Sequence, residues 1–263
     1  MTKFDLQYKN VIKDIMENGS EELNERTGIK TKSLPGITFK IDLKKDGFPL
    51  LSLRKLSFSF IPEIMWMLSG RNTTKWLSLK TKIWDSFKEK NGTITSAYGY
   101  RWRSHFNIDQ LNIVLKKLNK SKSDRHGVVM IWSPKEDLII KQKNVPCPIL
   151  FTLNIIGGKL NLHLIIRSND MILGNPTDIA GFALLQHIFV QYLKVKVGIL
   201  TISISNAHIY KNQYYVANEL LKRKRKSKKI NFKFPKNSYE RACKLDDSLI
   251  QEIKLQNKNP LGG

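Results

Sequence analysis

Residues 179–193 place the strongest constraint on how this chain can fold. The segment is apolar at helical spacing and on almost every side, and a helix without a polar face has to be buried in a protein core. Gln186 and His187 interrupt the apolar stretch of residues 182–192, which excludes a transmembrane span. The segment therefore predicts a central helix inside a globular protein.

Shorter apolar segments predict a sheet that packs against this helix. Residues 150–156 and 159–166 alternate on either side of Gly157-Gly158 and predict a β-hairpin. The other predicted elements are helices over 4–24, 60–69 and 110–118, and strands over 32–43, 128–132 and 199–204. Because the chain has no internal repeat and no long linker, it predicts a single α+β domain over residues 1–263.

The charge balance raises the question of a nucleic-acid partner. The chain has 45 Lys and Arg against 22 Asp and Glu, a formal net charge of +23. The basic residues are spread along the chain, with one dense run over 222–229, and spread charge is usually solvated surface, so a nucleic-acid role is not favoured. Two cysteines and a start without an apolar run indicate a reducing compartment. We therefore expect a cytoplasmic protein that is not associated with a membrane.

Cys147 is the candidate nucleophile of the chain. Pro146 and Pro148 restrict the backbone on both sides of its thiol, although a free cysteine is more often an inert buried residue. Arg167 ends the second strand of the predicted hairpin. A guanidinium near the thiol would favour the thiolate and could hold a phosphate, whereas the alternative for Arg167 is a solvated strand end.

Three further positions have both a structural and a functional interpretation. Asp178 lies near the start of the core helix, where it could simply cap that helix. His208 and Tyr210 follow a predicted strand and could form a satisfied structural pair. Glu63 lies among apolar residues of a helix, so its carboxyl needs a partner or a raised pKa, which makes it a functional candidate.

These residues belong to motifs that follow one another along nearly the whole chain. The motifs are Arg26-Thr27-Gly28, Asp46-Gly47-Phe48-Pro49-Leu50, Glu63 with Trp66, Ile83-Trp84-Asp85, Tyr98-Gly99-Tyr100-Arg101-Trp102, Asp124-Arg125-His126, Pro146-Cys147, Arg167-Ser168 with Asp170, Gly174 with Pro176, and His208 with Tyr210. Their order and spacing resemble the thymidylate synthase family. The resemblance implies an α+β fold with a large mixed sheet packed against helices. It also implies a homodimer formed through that sheet, in which each active site takes phosphate-binding arginine from both subunits.

The resemblance also implies a reaction and a role for each residue. Similar enzymes transfer a one-carbon unit from the co-substrate 5,10-methylenetetrahydrofolate to C5 of a pyrimidine nucleotide, without a metal. Cys147 would attack C6, Glu63 would order water and relay protons, and Tyr98 would help to remove the C5 proton. The remaining implied contacts are with the nucleotide through Arg26, Arg125, His126, Arg167, Ser168, His208 and Tyr210, and with the folate through Trp84, Asp170 and Gly174.

Asp178 is the most informative departure from the synthases, which have Asn at this position. An Asn amide matches the N3–H and O4 of uracil, whereas an Asp can accept from the N4 amine of cytosine and share a proton with N3. Deoxycytidylate hydroxymethylases carry Asp here, and residues 167–170 look like their version of that motif. We therefore expect conversion of dCMP to 5-hydroxymethyl-dCMP. A thymidylate synthase acting on dUMP is the alternative, and a catalytically silent basic binding protein is a third interpretation.

Three other departures bear on the reaction. Pro148 and Thr152 replace a His and a Gln near the nucleophile, and His126 replaces the second residue of an arginine pair. The sequence stops after residues 259–263, where synthases continue with an apolar tail that closes over the folate. Without that tail, we expect water to reach the exocyclic methylene intermediate before hydride does, which would give a hydroxymethyl product.

Overall fold

Strands with alternating apolar residues form one mixed sheet at the centre of the structure. The structure is a computed structural model, and it describes residues 1–54, 56–139, 144–224 and 229–257. The strands are β1 (Ser20–Asn24), β2 (Ile29–Asp42), β3 (Val128–Met130), β4 (Pro148–Ile156), β5 (Lys159–Ile166), β6 (Asn169–Asp170) and β7 (Lys196–Tyr210). Their order is β1-β2-β7-β5-β4-β3, with β6 paired to β7. Neighbours are antiparallel except that β5 and β6 run parallel to β7. The predicted α+β fold with a large mixed sheet is confirmed.

The predicted hairpin between β4 and β5 is confirmed. Ile156 pairs with Lys159, which leaves Gly157 and Gly158 as a two-residue loop. Both glycines have positive φ, 58° and 70°, the backbone conformation that a type I′ turn requires. The turn sets the register of the hairpin as far as Leu150 opposite Ile165. A β-bulge between Pro148 and Leu150 then shifts the pairing by one residue and places Pro148 opposite Ile166. As a result, Cys147 and Arg167 lie next to each other at the far end of the two strands.

Helices cover the sheet and complete the core. They are α1 (Lys3–Asn18), α2 (Phe60–Leu68), α3 (Tyr98–Arg103), α4 (Gln110–Lys120), α5 (Asn175–Leu193), α6 (Tyr214–Lys222), α7 (Ser238–Cys243) and α8 (Asp247–Gln256). The helices predicted over 60–69 and 110–118 are confirmed as α2 and α4 within two residues at each end. Two stretches noted in the sequence lie outside the described residues. They are residues 225–228 of the basic run and residues 259–263 at the end of the sequence.

The predicted core helix is α5, and it is buried along most of its length. It begins at Asn175 rather than at residue 179, because Pro176 fits the first turn of a helix, where no backbone N–H is needed. Gln186 is fully buried and donates to the backbone oxygens of Leu160 and Ile199, at 2.8 and 3.2 Å. This polar side chain therefore ties the helix to the sheet. Among the described residues no helix is long and apolar enough to cross a membrane.

The prediction of one helix over residues 4–24 is wrong in its last part. Helix α1 ends at Asn18, and residues Ser20–Asn24 form β1, which pairs with β2. A side chain at Gly19 would collide with the backbone oxygen of Ile15 and approach the backbone of Ser33. Only glycine therefore fits where the chain turns from the helix into the sheet. The apolar spacing that suggested a longer helix belongs to residues before Gly19.

Strand β7 is much longer than the predicted segment 199–204. It runs from Lys196 to Tyr210, because β2 pairs with it on one side and β5 and β6 pair with it in succession on the other. His208 and Tyr210 therefore lie within the strand and not after it. The sheet, rather than a loop, fixes the positions of both side chains.

A buried carboxylate joins the start of α1 to the segment that follows β2. Asp5 is fully buried and accepts hydrogen bonds from Thr2 N at 2.8 Å, Ser52 N at 2.8 Å and Ser52 Oγ at 2.6 Å. Thr2 Oγ1 in turn accepts from Asp5 N, which completes a capping box. One side chain thus satisfies donors from two separate parts of the chain.

Replacing this carboxylate should destabilise the fold. We expect Asp5→Ala to lower the free energy of unfolding by about 2 kcal/mol or more, because it removes the carboxylate half of the capping box and leaves buried donors of Thr2 and Ser52 without this acceptor. Urea unfolding at a fixed protein concentration would measure the change. Asp14→Ala is the matched control, since Asp14 is an exposed carboxylate on the same helix, and it should change the stability by less than about 0.5 kcal/mol. Equal effects of the two substitutions would contradict this role of Asp5.

Candidate active site

A cavity of about 680 Å³ lies where the ends of β4, β5, β6 and β7 meet the start of α5. Most of the residues singled out by the sequence line it. These predicted lining residues are Arg26, Tyr98, Cys147, Arg167, Ser168, Asp170, Gly174, Asp178, His208 and Tyr210. The fold therefore brings residues from far apart in the sequence into one site.

The Arg167 guanidinium holds the segment that carries Cys147. Its Nε donates to the backbone oxygen of Pro146 at 2.9 Å, and Nη2 donates to that of Val145 at 3.1 Å. Nη2 also lies 4.0 Å from the Cys147 Sγ, and the guanidinium stacks over the ring of Trp132 at 5.4 Å. The predicted proximity of Arg167 to the thiol is confirmed, and the alternative of a solvated strand end is wrong.

Opposing effects act on the Cys147 thiol. Burial raises its pKa above the ordinary value, whereas the positive charges of Arg167 and Arg26 lower it and the Asp178 carboxyl raises it. The arginines favour the thiolate, as the sequence predicted, but burial outweighs them in the protein alone. The thiol is partly buried and lines the cavity, so it is accessible to a ligand bound there.

Glu63 has the partner that its apolar surroundings require. The indole Nε1 of Trp84 donates to Glu63 Oε1 at 2.7 Å, and burial nevertheless raises the pKa of Glu63 to about 7, with a further contribution from the Asp178 charge. Neither residue is among those that line the cavity. Trp84, 5% exposed, packs edge-on against Tyr98, which does line it. Glu63 thus takes up a proton more readily than an exposed carboxyl, and it lies behind the cavity wall.

Tyr98 is placed by the contact between α2 and α3. A side chain at Gly99 would collide with the backbone oxygen of Met67, so glycine allows the two helices to touch and brings Tyr98 toward Glu63. The backbone of Cys147 hydrogen-bonds to Tyr98, and burial raises the pKa of its hydroxyl well above the ordinary value. The phenol therefore stays protonated and neutral beside the nucleophile.

Asp178 does not cap α5, so the capping interpretation is wrong. The N-cap is Gly174, and Asp178 lies within the first turns because Pro176 allowed the helix to start earlier. Its Oδ2 accepts a hydrogen bond from Asn169 Nδ2 at 2.8 Å. Burial, together with the charge of Asp170, raises the pKa of Asp178 to about 6, and the bond from Asn169 opposes this rise.

The Asp170 carboxylate shapes the turn between β6 and α5. Oδ1 accepts from the backbone N–H groups of Ile172 and Leu173, at 2.8 and 3.0 Å, and Oδ2 accepts from Gln213 Nε2 at 2.9 Å. Asp170 also pairs with His208 across β6 and β7. Its position in the cavity wall is therefore fixed by backbone and side-chain contacts together.

His208 is a buried imidazole at the edge of the cavity. Its Nδ1 lies 3.1 Å from Asn206 Oδ1 and 3.5 Å from Ser168 Oγ, and its ring packs edge-on against Tyr210 at 5.1 Å. Burial lowers the pKa of His208 below the ordinary histidine value. A neutral imidazole held in this way offers a polar edge to a ligand without adding positive charge.

The predicted cationic residues fall into two groups. Arg26 lies in the turn between β1 and β2 and lines the cavity. Arg125 and His126 are exposed in the segment before β3 and are not among its lining residues. His126 Nδ1 lies 3.4 Å from Asp124 Oδ1. Within this chain they do not reach the site, which leaves their role in a partner subunit as a prediction.

Several lining residues had no role in the sequence analysis. They are Asn24, Phe87, Trp132, Asp137, Asn144, Val145 and Asn169. Asn169 stood inside the quoted motif, and the burial of its amide follows from the pairing of β6 with β7. In the described ranges no group of three or more His, Cys, Asp or Glu could hold a metal ion.

Comparisons with known proteins agree with this geometry. The sequence profile described as thymidylate synthase matches residues 6–262. The chain is 37% identical over 224 residues to a thymidylate synthase from Buchnera aphidicola subsp. Schizaphis graminum (strain Sg), covering 82% of this chain and 83% of the relative. It is 33% identical over 229 residues to a thymidylate synthase from Corynebacterium aurimucosum (strain ATCC 700975 / DSM 44827 / CIP 107346 / CN-1), covering 84% of each. The chain belongs to the thymidylate synthase family of one-carbon transferases, which use methylenetetrahydrofolate as co-substrate.

Proposed function

We propose that this enzyme converts dCMP to 5-hydroxymethyl-dCMP with 5,10-methylenetetrahydrofolate as the one-carbon donor. The observation that carries the proposal is the Asp178 carboxyl, which lines the cavity with Cys147 and has a pKa near 6. A carboxyl that can hold or release a proton can accept from the N4 amine of cytosine and donate to N3. The hydroxymethyl product follows from the resemblance to deoxycytidylate hydroxymethylases at this position.

The thiol of Cys147 would start the reaction by adding to C6 of the pyrimidine. This addition makes C5 an enamine carbon, which attacks the methylene group of the folate. Tyr98 and Glu63 would accept and relay the proton that leaves C5, and the pKa of Glu63, about 7, suits transfer in either direction. Loss of that proton and elimination of tetrahydrofolate leave an exocyclic methylene group on C5. Water then adds to this group, and elimination of Cys147 from C6 releases the hydroxymethylated nucleotide.

Arginines and polar side chains around the thiol would position the nucleotide. Arg167 and Arg26 lie on the cavity wall and would bind the phosphate, which places C6 over the sulfur. Ser168, His208 and Tyr210 would contact the phosphate and sugar. Trp84, Asp170 and Gly174 would contact the folate.

A second copy of the chain would complete the phosphate site. Leu150, Ile165 and Ile199 are half-buried residues of β4, β5 and β7 that alternate with the core residues of these strands. They share their face of the sheet with polar residues such as His163 and Thr201, and this mixed face offers a surface to a second copy of the chain. A homodimer formed through this face would bring the partner subunit's Arg125 and the partner subunit's His126 toward the phosphate. The two free cysteines are consistent with a reducing compartment, and we propose a cytoplasmic location.

Thymidylate synthesis from dUMP is the second candidate. The names of the two relatives favour it, since both are called thymidylate synthase. A neutral carboxyl also has one donor and one acceptor, which uracil can match through O4 and N3–H. The two functions therefore differ in the base that is read and in the group that is added.

Mass spectrometry of the products would decide between the functions. The protein is incubated with methylenetetrahydrofolate and either dCMP or dUMP, and the mass gained by each nucleotide is measured. We expect a hydroxymethyl group on dCMP. A methyl group on dUMP would establish the synthase instead, and no product from either nucleotide would favour a silent protein that binds through its basic surface.

Replacing the nucleophile should separate chemistry from binding. We expect Cys147→Ser to abolish turnover and to keep nucleotide binding, because a serine hydroxyl is far less ionised than a thiol. Cys243→Ser is the control, since Cys243 lies on α7, with its Sγ 3.6 Å from Arg103 Nη1, and is not a lining residue. Turnover assays and isothermal titration with the nucleotide would measure both effects. Near-normal rates in Cys147→Ser would show that the nucleophile is wrongly assigned.

Replacing Asp178 should change the preferred base. We expect Asp178→Asn to shift the ratio of kcat/KM for dCMP over dUMP by at least roughly tenfold toward dUMP, because it exchanges one buried hydrogen-bond pattern for the other. The ratio is measured in wild type and variant with methylenetetrahydrofolate. A wild-type preference for dUMP would overturn the cytosine assignment. An unchanged ratio in the variant would mean that other residues select the base.

A further inference from the structure

Three side chains form a buried chain of hydrogen bonds that ends at Asp178. Asn175 Nδ2 donates to Asn169 Oδ1 at 2.7 Å, and Asn169 Nδ2 donates to Asp178 Oδ2 at 2.8 Å. Asn175 is fully buried and Asn169 is 5% exposed. Both amides are therefore shielded from water. Asn169 is bonded through its oxygen and its nitrogen, whereas Asn175 is bonded through its nitrogen and its Oδ1 has no partner among the described residues.

The direction of the bond from Asn175 determines which atom of the Asn169 amide faces Asp178. Because Asn175 donates to the oxygen of Asn169, the nitrogen of Asn169 faces Asp178. Asp178 Oδ2 is therefore already an acceptor in the protein alone. Its Oδ1 accepts no hydrogen bond from the described part of the chain, and the side chain lines the cavity. Oδ1 is the atom left for a proton or a ligand.

We propose that Asn169, held in place by Asn175, is a positioning residue that fixes the two oxygens of Asp178 in different roles and so sets the selectivity for the pyrimidine. The inference rests on the proposed function, in which Asp178 reads the base. Oδ2 accepts from Asn169, which disfavours a proton on that oxygen. A proton on Asp178 therefore resides on Oδ1, so the carboxyl presents its donor and its acceptor in one arrangement only.

A single arrangement gives discrimination because cytosine and uracil present opposite patterns at positions 3 and 4. Without the donor from Asn169, the proton can move to either oxygen, and the carboxyl can match both bases. The selectivity should then fall toward unity, whichever base the wild type prefers. Discrimination by buried polar groups depends on leaving the wrong partner unpaired, and a carboxyl that adapts leaves nothing unpaired.

Other titratable groups face Asp178 and have to be separated from this effect. They are Glu63 on α2, Tyr98 on α3, Cys147 before β4 and Asp170 on β6. Each acts on both nucleotides, so its contribution largely cancels in the ratio of the two specificity constants. The ratio as a function of pH therefore reports mainly on the carboxyl that reads the base.

The experiment measures kcat/KM for dCMP and dUMP between pH 5 and pH 8 in wild type, Asn169→Leu and Asn175→Ala. We expect Asn169→Leu, similar in size but without a donor, to reduce the selectivity roughly tenfold. In wild type the hydrogen bond from Asn169 lowers the pKa of Asp178. Loss of this bond in Asn169→Leu should therefore raise the pH midpoint of the ratio above about 6. Asn175→Ala should change both quantities in the same direction by a smaller amount, since Asn169 keeps its donor but loses its fixed orientation.

The control variant is Asn161→Leu. Asn161 is a partly buried asparagine on β5 that bonds to Asn154 and Ile199 and is not a lining residue, so its replacement should leave the ratio unchanged. If Asn169→Leu does not fold, Asn169→Ser, which also cannot reach Asp178, and Asn175→Ala provide the test. An unchanged ratio and midpoint in folded variants would overturn the positioning role. A wild-type preference for dUMP would instead overturn the proposed substrate, and the change in selectivity would still be measurable.

Discussion

Parallel pairing of β5 and β6 with the long strand β7 is the constraint on which the site depends. Asn169 pairs with Ala207 and Asp170 pairs with His208, while the β-bulge between Pro148 and Leu150 sets Cys147 beside Arg167. Each of these contacts is made by backbone hydrogen bonds. The reactive side chains are therefore placed by the sheet itself, and α5 covers the sheet with the apolar surface that keeps it rigid.

Two carboxyls in one poorly solvated region control the electrostatics of the site. Burial raises the pKa of Glu63 to about 7 and that of Asp178 to about 6, and the Asp178 charge contributes to the shift of Glu63. Ionising both groups is unfavourable, so at neutral pH the pair retains part of a proton near the nucleophile. The same burial keeps the Tyr98 phenol protonated. Burial thus gives the region around the nucleophile carboxyl groups with raised pKa values and a neutral phenol, as is common at functional sites.

A fully buried ion pair supports the opposite side of the cavity. Arg101 on α3 lies 3.1 Å from Asp137 in the short π-helix Lys135–Ile139, and neither side chain is exposed. Ser133 N also donates to the Asp137 carboxylate at 2.7 Å. Burying one of these charges without the other would be very costly, so the pair ties α3, which begins with Tyr98, to the chain that follows β3. The position of the catalytic tyrosine candidate therefore depends on a contact outside the reaction itself.

The sequence by itself determined the fold class, the hairpin, the core helix and the identity of most side chains in the cavity. These followed from local patterns, namely apolar periodicity, a Gly-Gly turn and ordered motifs, each of which involves residues close together in the chain. The end of α1 at Gly19, the length of β7 and the start of α5 were decided by tertiary contacts, because each depends on the approach of a distant segment. The same holds for the site. Only the folded chain joins Asn175, Asn169 and Asp178, and only burial sets whether the carboxyls and the thiol are charged, since the free energy of a charge depends on its surroundings and not on its neighbours in sequence.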